Sequence, residues 1–217
     1  MEKIAAGVHR FRNYIFPHLR GMFGSLAEGQ QPHALMISCS DSRVVPNLIT
    51  DTRPGELFIE RNPGNISPIY DKTAMGGVSA SIEYAVAVLQ VPNIIVCGHS
   101  DCGAMKGILD FKSVKKLDAV AHWLSFGPKL EEVEGIDDPA ERLRVLTELN
   151  VLMQIENLKT HPSVAKAYKR GDIGLHGWMF DIETGIVRAW NQKAGQFLPW
   201  PPDPTPAQPK VKGKGKH

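Results

Sequence analysis

The sequence predicts an α/β protein: a central, mainly parallel β-sheet flanked by helices. Two observations carry that prediction. Short apolar runs bounded by Pro and Gly, "ALMIS" (Ala34 to Ser38), "ELFIER" (Glu56 to Arg61) and "NIIVCGH" (Asn93 to His99), have the length and punctuation of strands. The third is nearly all apolar, as a parallel strand covered on both faces requires. Helical spacing alternates with these runs, which is the pattern of an open α/β sheet.

From the N-terminus, Ile4, Val8, Phe11, Ile15, Leu19 and Phe23 recur every three or four residues, so residues 1–30 read as an amphipathic helical arm that Pro17 should break or kink. Such an arm needs a surface to cover, its own sheet or a partner subunit's. "RNPGNISP" is a loop by its turn residues. In "GGVSASIEYAVAVLQ", Val78, Ile82, Ala85, Val86 and Leu89 mark one helical face, and Pro92 closes it. Helical patterns resume over Gly103 to Leu109, Leu117 to Phe126 and Pro139 to Leu158. "GLHGWMFDIETGIVRAW" reads as a hairpin turning at Glu183-Thr184-Gly185. The chain thus divides into one domain over 1–200 and a Pro/Lys/Gly-rich tail over 201–217, expected to be disordered.

Composition excludes several classes. Hydrophobic content of 42% is ordinary for a globular protein. The formal charge of +2 comes from the four lysines of the tail, so the near-neutral body offers nothing to nucleic acid or a membrane surface. No apolar run is long enough to span a bilayer, and the start lacks a secretory core; a cytoplasmic protein is expected. Three cysteines, an odd number in a reducing compartment, do not suggest a disulfide framework.

Those cysteines carry the chemistry. "CSDSR" (Cys39 to Arg43) and "GHSDCG" (Gly98 to Gly103) both fall at strand ends, where ligands sit in open α/β sheets. His99 and Cys102 stand three apart and can converge on one point. Cys39 adds a second thiolate, and zinc accepts this set in tetrahedral geometry with a fourth position open. Alone, Cys39 would be a small hydrophobe; with its neighbours it reads as a ligand. Cys97, inside "IIVCG", is assigned to packing, with strand alternation expected to point it away from His99. Asp41, two residues past Cys39, can orient a zinc-bound hydroxide. Arg43 can grip that carboxylate bidentately and keep it from filling the open position.

With "CSDSR", "RNPGN", "GGVSASIEYAV" and "GHSDCGAMKG" assembled, the chain resembles the β-class carbonic anhydrases, most of all the bacterial enzymes associated with cyanate metabolism. The resemblance runs to about residue 200 and includes "HWL", "NLKTHPSV" and "LHGWMFDIETG". It implies one Zn2+ per subunit on Cys39, His99 and Cys102, an Asp41–Arg43 dyad, and reversible hydration of CO2 to bicarbonate. It also implies a homodimer or larger homo-oligomer with N-terminal helices on the partner. A pocket formed partly across that interface would include Gln30, Phe58, Tyr84 and Gly103. Gln30 would hold CO2 or bicarbonate, and Phe58 and Tyr84 would supply apolar walls. Pro63 departs from the Val or Ala common after "RN", and Met36 replaces a tryptophan typical of bicarbonate-inhibited members. An open site is therefore expected, with Asp41 on zinc only in a closed, low-pH state. The proton shuttle is not identifiable; His33 and His122 are candidates. Other readings are a hydrolase of carbon disulfide or carbonyl sulfide, a structural zinc module and a redox sensor.

Overall fold

A computed structural model describes residues 1–202; the expected disorder of the tail falls almost wholly outside them. The arm comprises α1 (Glu2–Arg10), a π-helical turn (Phe11–Ile15) and α2 (Phe16–Leu26). Pro17 does not break the run, but the regular α-helix is interrupted by the π turn just before it. It sits at the start of α2, directly after the widened turn, where its ring and missing N–H are accommodated. Ile4, Val8, Tyr14 and Ile15 along the arm are exposed.

Next come β1 (Ala34–Cys39), α3 (Pro46–Thr50), β2 (Leu57–Asn62), α4 (Gly77–Glu83) and β3 (Asn93–His99). α5 (Gly103–Leu109), α6 (Phe111–Val114), α7 (Asp118–Leu124), α8 (Pro139–Leu158) and α9 (Pro162–Arg170) follow. The chain ends in β4 (Gly174–Phe180), β5 (Val187–Asn191) and β6 (Gln196–Pro199). One six-stranded sheet results, in the order β2-β1-β3-β4-β5-β6, parallel from β2 to β4 and antiparallel beyond. The expected hairpin is present: Asp181 Oδ1 accepts the Thr184 N–H and hydroxyl inside its turn.

The pleat divides the sheet residues between two cores. Leu35, Ile37, Ile94 and Val96 pack with Ile82, Val151 and Leu158 of the helical layer. Each such buried side chain contributes about 1.5–3 kcal/mol. Ala34, Met36, Ile95, Cys97 and Trp178 form the opposite layer. Burial there pushes the Cys97 thiol up to about 12, so it is inert packing as expected. Alternation does not explain its separation from the site, because residues two apart in a strand share a face. Cys97 is kept apart by lying one pleat back inside this layer, whereas His99 occupies the strand's end.

α8 crosses the sheet over β3 and β4, and Gly98 permits the approach. A Cβ at Gly98 would lie 2.7 Å from Val151 Cγ2 and 2.9 Å from Met179 Sδ. Gly98→Ala should cost about 1–3 kcal/mol through overpacking. Thermal denaturation checks this; an unchanged melting temperature would show that α8 can yield.

Candidate metal centre

Cys39 ends β1 and His99 ends β3, neighbouring parallel strands whose register sets Ser38 opposite Cys97. Both side chains therefore emerge at one end of the sheet. The chain turns through Asp101, whose φ of 59° is left-handed, and delivers Cys102 as the N-cap of α5. The ligand atoms of Cys39, His99 and Cys102 lie within 4.8 Å of one another, and all three residues are buried. Tetrahedral zinc with sulfur bonds of about 2.3 Å sets its donors ~3.8 Å apart, so this trio fits with little movement.

The imidazole is already prepared. His99 Nδ1 is 2.8 Å from the Ser100 carbonyl, which can only accept, so Nδ1 carries the proton. Nε2 is left with its lone pair, buried and without a partner among the described residues. A buried polar atom with no partner is costly, and a metal ion at this point satisfies it.

The two sulfurs are tightly linked. The Cys39 thiol is lowered, first by Cys102 beside it, against burial, with the Gly64 N–H at 3.4 Å from its sulfur adding to the effect. Cys102 is pushed up, first by that same contact and then by burial, while the N–H groups of Met105 and Ala104 oppose the rise. Zinc binds sulfur as thiolate, so any proton on either cysteine must leave as the metal binds.

Asp41 and Arg43 form the bidentate pair that their spacing suggests. Arg43 Nε donates to Oδ1 at 3.0 Å and Nη2 to Oδ2 at 2.8 Å, while the Arg43 backbone N–H donates to Oδ1 at 3.0 Å. These bonds hold the Asp41 carboxyl well below the usual range, with the Arg43 side chain as the largest cause. A depressed carboxylate contributes stability that is present above its unfolded value near 3.9 and lost as pH falls through the folded value. Asp41 should therefore titrate below the ordinary aspartate value near 3.9. A carboxyl 13C titration that shows protonation at pH 4 or above would contradict this.

Two anchors escaped the sequence reading. Asp101 accepts from Arg43 Nη1 at 3.0 Å and is itself paired with Lys106. Arg61 Nε donates to the Cys39 carbonyl at 3.1 Å and Nη2 to the Asp41 carbonyl at 2.7 Å, pinning the turn after β1. Arg61, beside Glu60 at the polar end of β2, offered no distinct signal, and Asp101 offered none beyond its place in "HSDC".

A cavity of about 270 Å3 opens beside Cys39, lined also by Ser40, Asp41, Pro63, Val114, Val120 and Leu124, with Gly103 and Ala104 on its wall. Apolar walls beside one carboxylate suit a small, nonpolar molecule. Val120 and Leu124 share a face of the helix read at Leu117 to Phe126, while Val114 fell in a stretch left unassigned.

Gln30, Phe58 and Tyr84 do not reach this cavity within one chain. Phe58 pairs with Leu35 at the far end of the parallel β1–β2 ladder, four residues and ~13 Å from Cys39. Tyr84 stacks on it with ring centroids 5.8 Å apart, and Gln30 precedes β1 at that same end. Tyr84 remains 45% exposed in the single chain.

The profile of the carbonic anhydrase family matches residues 34–187. The carbonic anhydrase of Pseudomonas aeruginosa is 47% identical over 201 residues, which cover 91% of each chain. The solved β-carbonic anhydrase CcaA is 40% identical and superposes with a TM-score of 0.86 over 92% of this chain and 91% of its own. A structure from work on two tetrameric β-carbonic anhydrases of the ascomycete Sordaria macrospora is 33% identical, with a TM-score of 0.64 over 88% and 93% of the two chains. Such identity across nearly the whole chain, on a fold that brings two thiolates and an imidazole together, makes this protein a member of the β-class carbonic anhydrases, zinc enzymes that hydrate carbon dioxide.

Proposed function

We propose that Cys39, His99 and Cys102 hold the catalytic zinc, that Asp41 and Arg43 serve the reacting water, and that a second copy of the chain completes the pocket. The observation that carries this reading is the unpartnered His99 Nε2 aimed at two converging sulfurs. Zinc, when bound, supplies a Lewis acid that lowers the pKa of water toward neutrality.

Asp41 directs that water. A carboxylate has about four lone-pair positions. Oδ1 accepts two hydrogen bonds and Oδ2 one, all from Arg43. One position on Oδ2 is left to accept a hydrogen bond from the reacting water and so aim its oxygen lone pair at carbon. Arg43 is in turn tied to Asp101, so the carboxylate is held off the fourth metal position. A closed state with Asp41 as ligand requires those bonds to break. Val114, Val120 and Leu124 exclude bulk water from the carbon dioxide.

The partner copy would bring Gln30, Phe58 and Tyr84. β2 is an edge of the sheet, and the apolar stripe of the arm is exposed; both suit a homodimer or larger homo-oligomer. The relatives from Sordaria macrospora are tetrameric. No described helix is long and apolar enough to cross a membrane. A cytoplasmic enzyme of the type associated with cyanate metabolism is the finer reading.

Stopped-flow CO2 hydration with matched metal analysis tests the assignment. Activity should track zinc up to one per subunit, and zinc-loaded protein without activity would refute it. Pocket completion has its own test. Cys39→Ser and Gln30→Ala are each expected to be inactive, and refolded together they should recover about a quarter of wild-type activity, because mixed dimers rebuild one site in two. No recovery would place Gln30 in its own subunit's site, and full activity in Gln30→Ala alone would place it outside any site.

A further inference from the structure

The loop from Pro63 to Pro68 is held on more sides than packing requires. Asn150, Gln154 and Asn157 line one face of α8, and all three amides are buried. Three apolar side chains would fill that space without the desolvation cost of amides, so the hydrogen bonds themselves need a reason. Their directions are fixed in series. Gln154 Oε1 accepts from the Ser67 N–H at 2.9 Å, so Nε2 must face Asn150 Oδ1, also at 2.9 Å. That turns Asn150 Nδ2 to the Gly64 carbonyl at 2.9 Å. Asn157 Nδ2 closes the set on the Ser67 carbonyl at 3.0 Å.

The peptide one step earlier is held from the other side. Trp123 Nε1, on α7, donates to the Pro63 carbonyl at 2.8 Å. In a trans peptide the C=O and N–H point in opposite directions, so fixing the Pro63 oxygen aims the Gly64 N–H. That N–H lies 3.4 Å from Cys39 Sγ. Glycine is required at this point: Gly64 has a φ of 79°, and a Cβ there would meet Ala104 Cβ at 3.0 Å.

We propose that Trp123 and Asn150 are positioning residues for the metal centre, clamping the Pro63–Gly64 segment so that the Gly64 N–H donates to the Cys39 sulfur. The inference rests on the zinc reading given above. Two thiolates neutralise the formal charge of a divalent ion and weaken it as a Lewis acid. A hydrogen bond to one sulfur draws charge back from it and offsets that loss. Pro63 fits the same task, since its locked φ stiffens the segment and its carbonyl is the handle that Trp123 holds.

Cobalt-substituted protein gives a readout that simple loss of structure does not move. A hydrogen bond lowers the energy of the sulfur lone pair, so losing it should shift the thiolate-to-cobalt charge-transfer band to longer wavelength. Trp123→Phe keeps an aromatic side chain against Phe126 and removes the donor; Asn150→Ser removes the second clamp. Both should show that shift, with metal affinity falling about tenfold. Leu158→Ala, buried on the same helix but away from the loop, should lose thermal stability with the band unmoved. An unchanged band in folded Trp123→Phe, or an equal shift in Leu158→Ala, overturns the proposal while the zinc site stands. Absence of any thiolate-to-cobalt band in the wild-type protein overturns both.

Discussion

Cys39→Ser is expected to leave the protein without zinc and without activity. The change removes one of only two thiolates, and a hydroxyl is a poor ligand for a borderline-soft ion. It also leaves His99 Nε2 and the Cys102 sulfur buried with nothing to bind. Stability should fall as well, because a ligand that binds only the native state stabilises it by mass action. With free zinc 1,000-fold above its dissociation constant that amounts to about 4 kcal/mol. For a chain of this length the melting temperature should then drop by roughly 10 °C. Chelation of the wild-type protein should reproduce the drop, and zinc should reverse it only where Cys39 is intact. A variant that retains stoichiometric zinc would move the ligand role elsewhere.

Arg43→Ala separates metal binding from catalysis. The substitution removes the Nε and Nη2 bonds to Asp41 and leaves only the backbone N–H. Zinc content should stay at one per subunit, since no ligand is touched. Activity should fall by about 100-fold or more, the upper range for an outer partner of a metal site, because a released Asp41 competes for the fourth position. Melting should change little, as Arg43 is 44% exposed and solvent-exposed pairs contribute little to stability. Lysine should not restore activity, because a point charge lacks the planar fork that occupies both oxygens. Normal turnover in Arg43→Ala would remove the gate from the mechanism.

Much of this site was legible in the sequence because its parts are local. Cys39, Asp41 and Arg43 alternate within five residues, and His99 and Cys102 share one turn, so spacing alone brings each group together. The strands and α8 were legible for a similar reason: apolar runs and Pro139 mark them. What escaped depends on contacts distant in the chain. Trp123 reaches Pro63 across 60 positions and Asn150 reaches Gly64 across 86, and no periodicity announces such bonds. β6 and α9 were missed because Gln196–Pro199 is too short and Pro162–Arg170 too polar to stand out. Pro17 marks an irregularity in the arm, as its ring requires, but a π turn absorbs it and the helix resumes instead of ending. The Cys97 argument reached the right assignment by a wrong step, since alternation groups that residue with His99.

X-ray absorption at the zinc edge of the purified protein at neutral or alkaline pH puts the whole account at risk in one experiment. Two sulfur and one nitrogen neighbours, plus a single exchangeable oxygen from solvent, are the expected shell. A shell filled by four side chains, or protein that carries no stoichiometric metal, would contradict it.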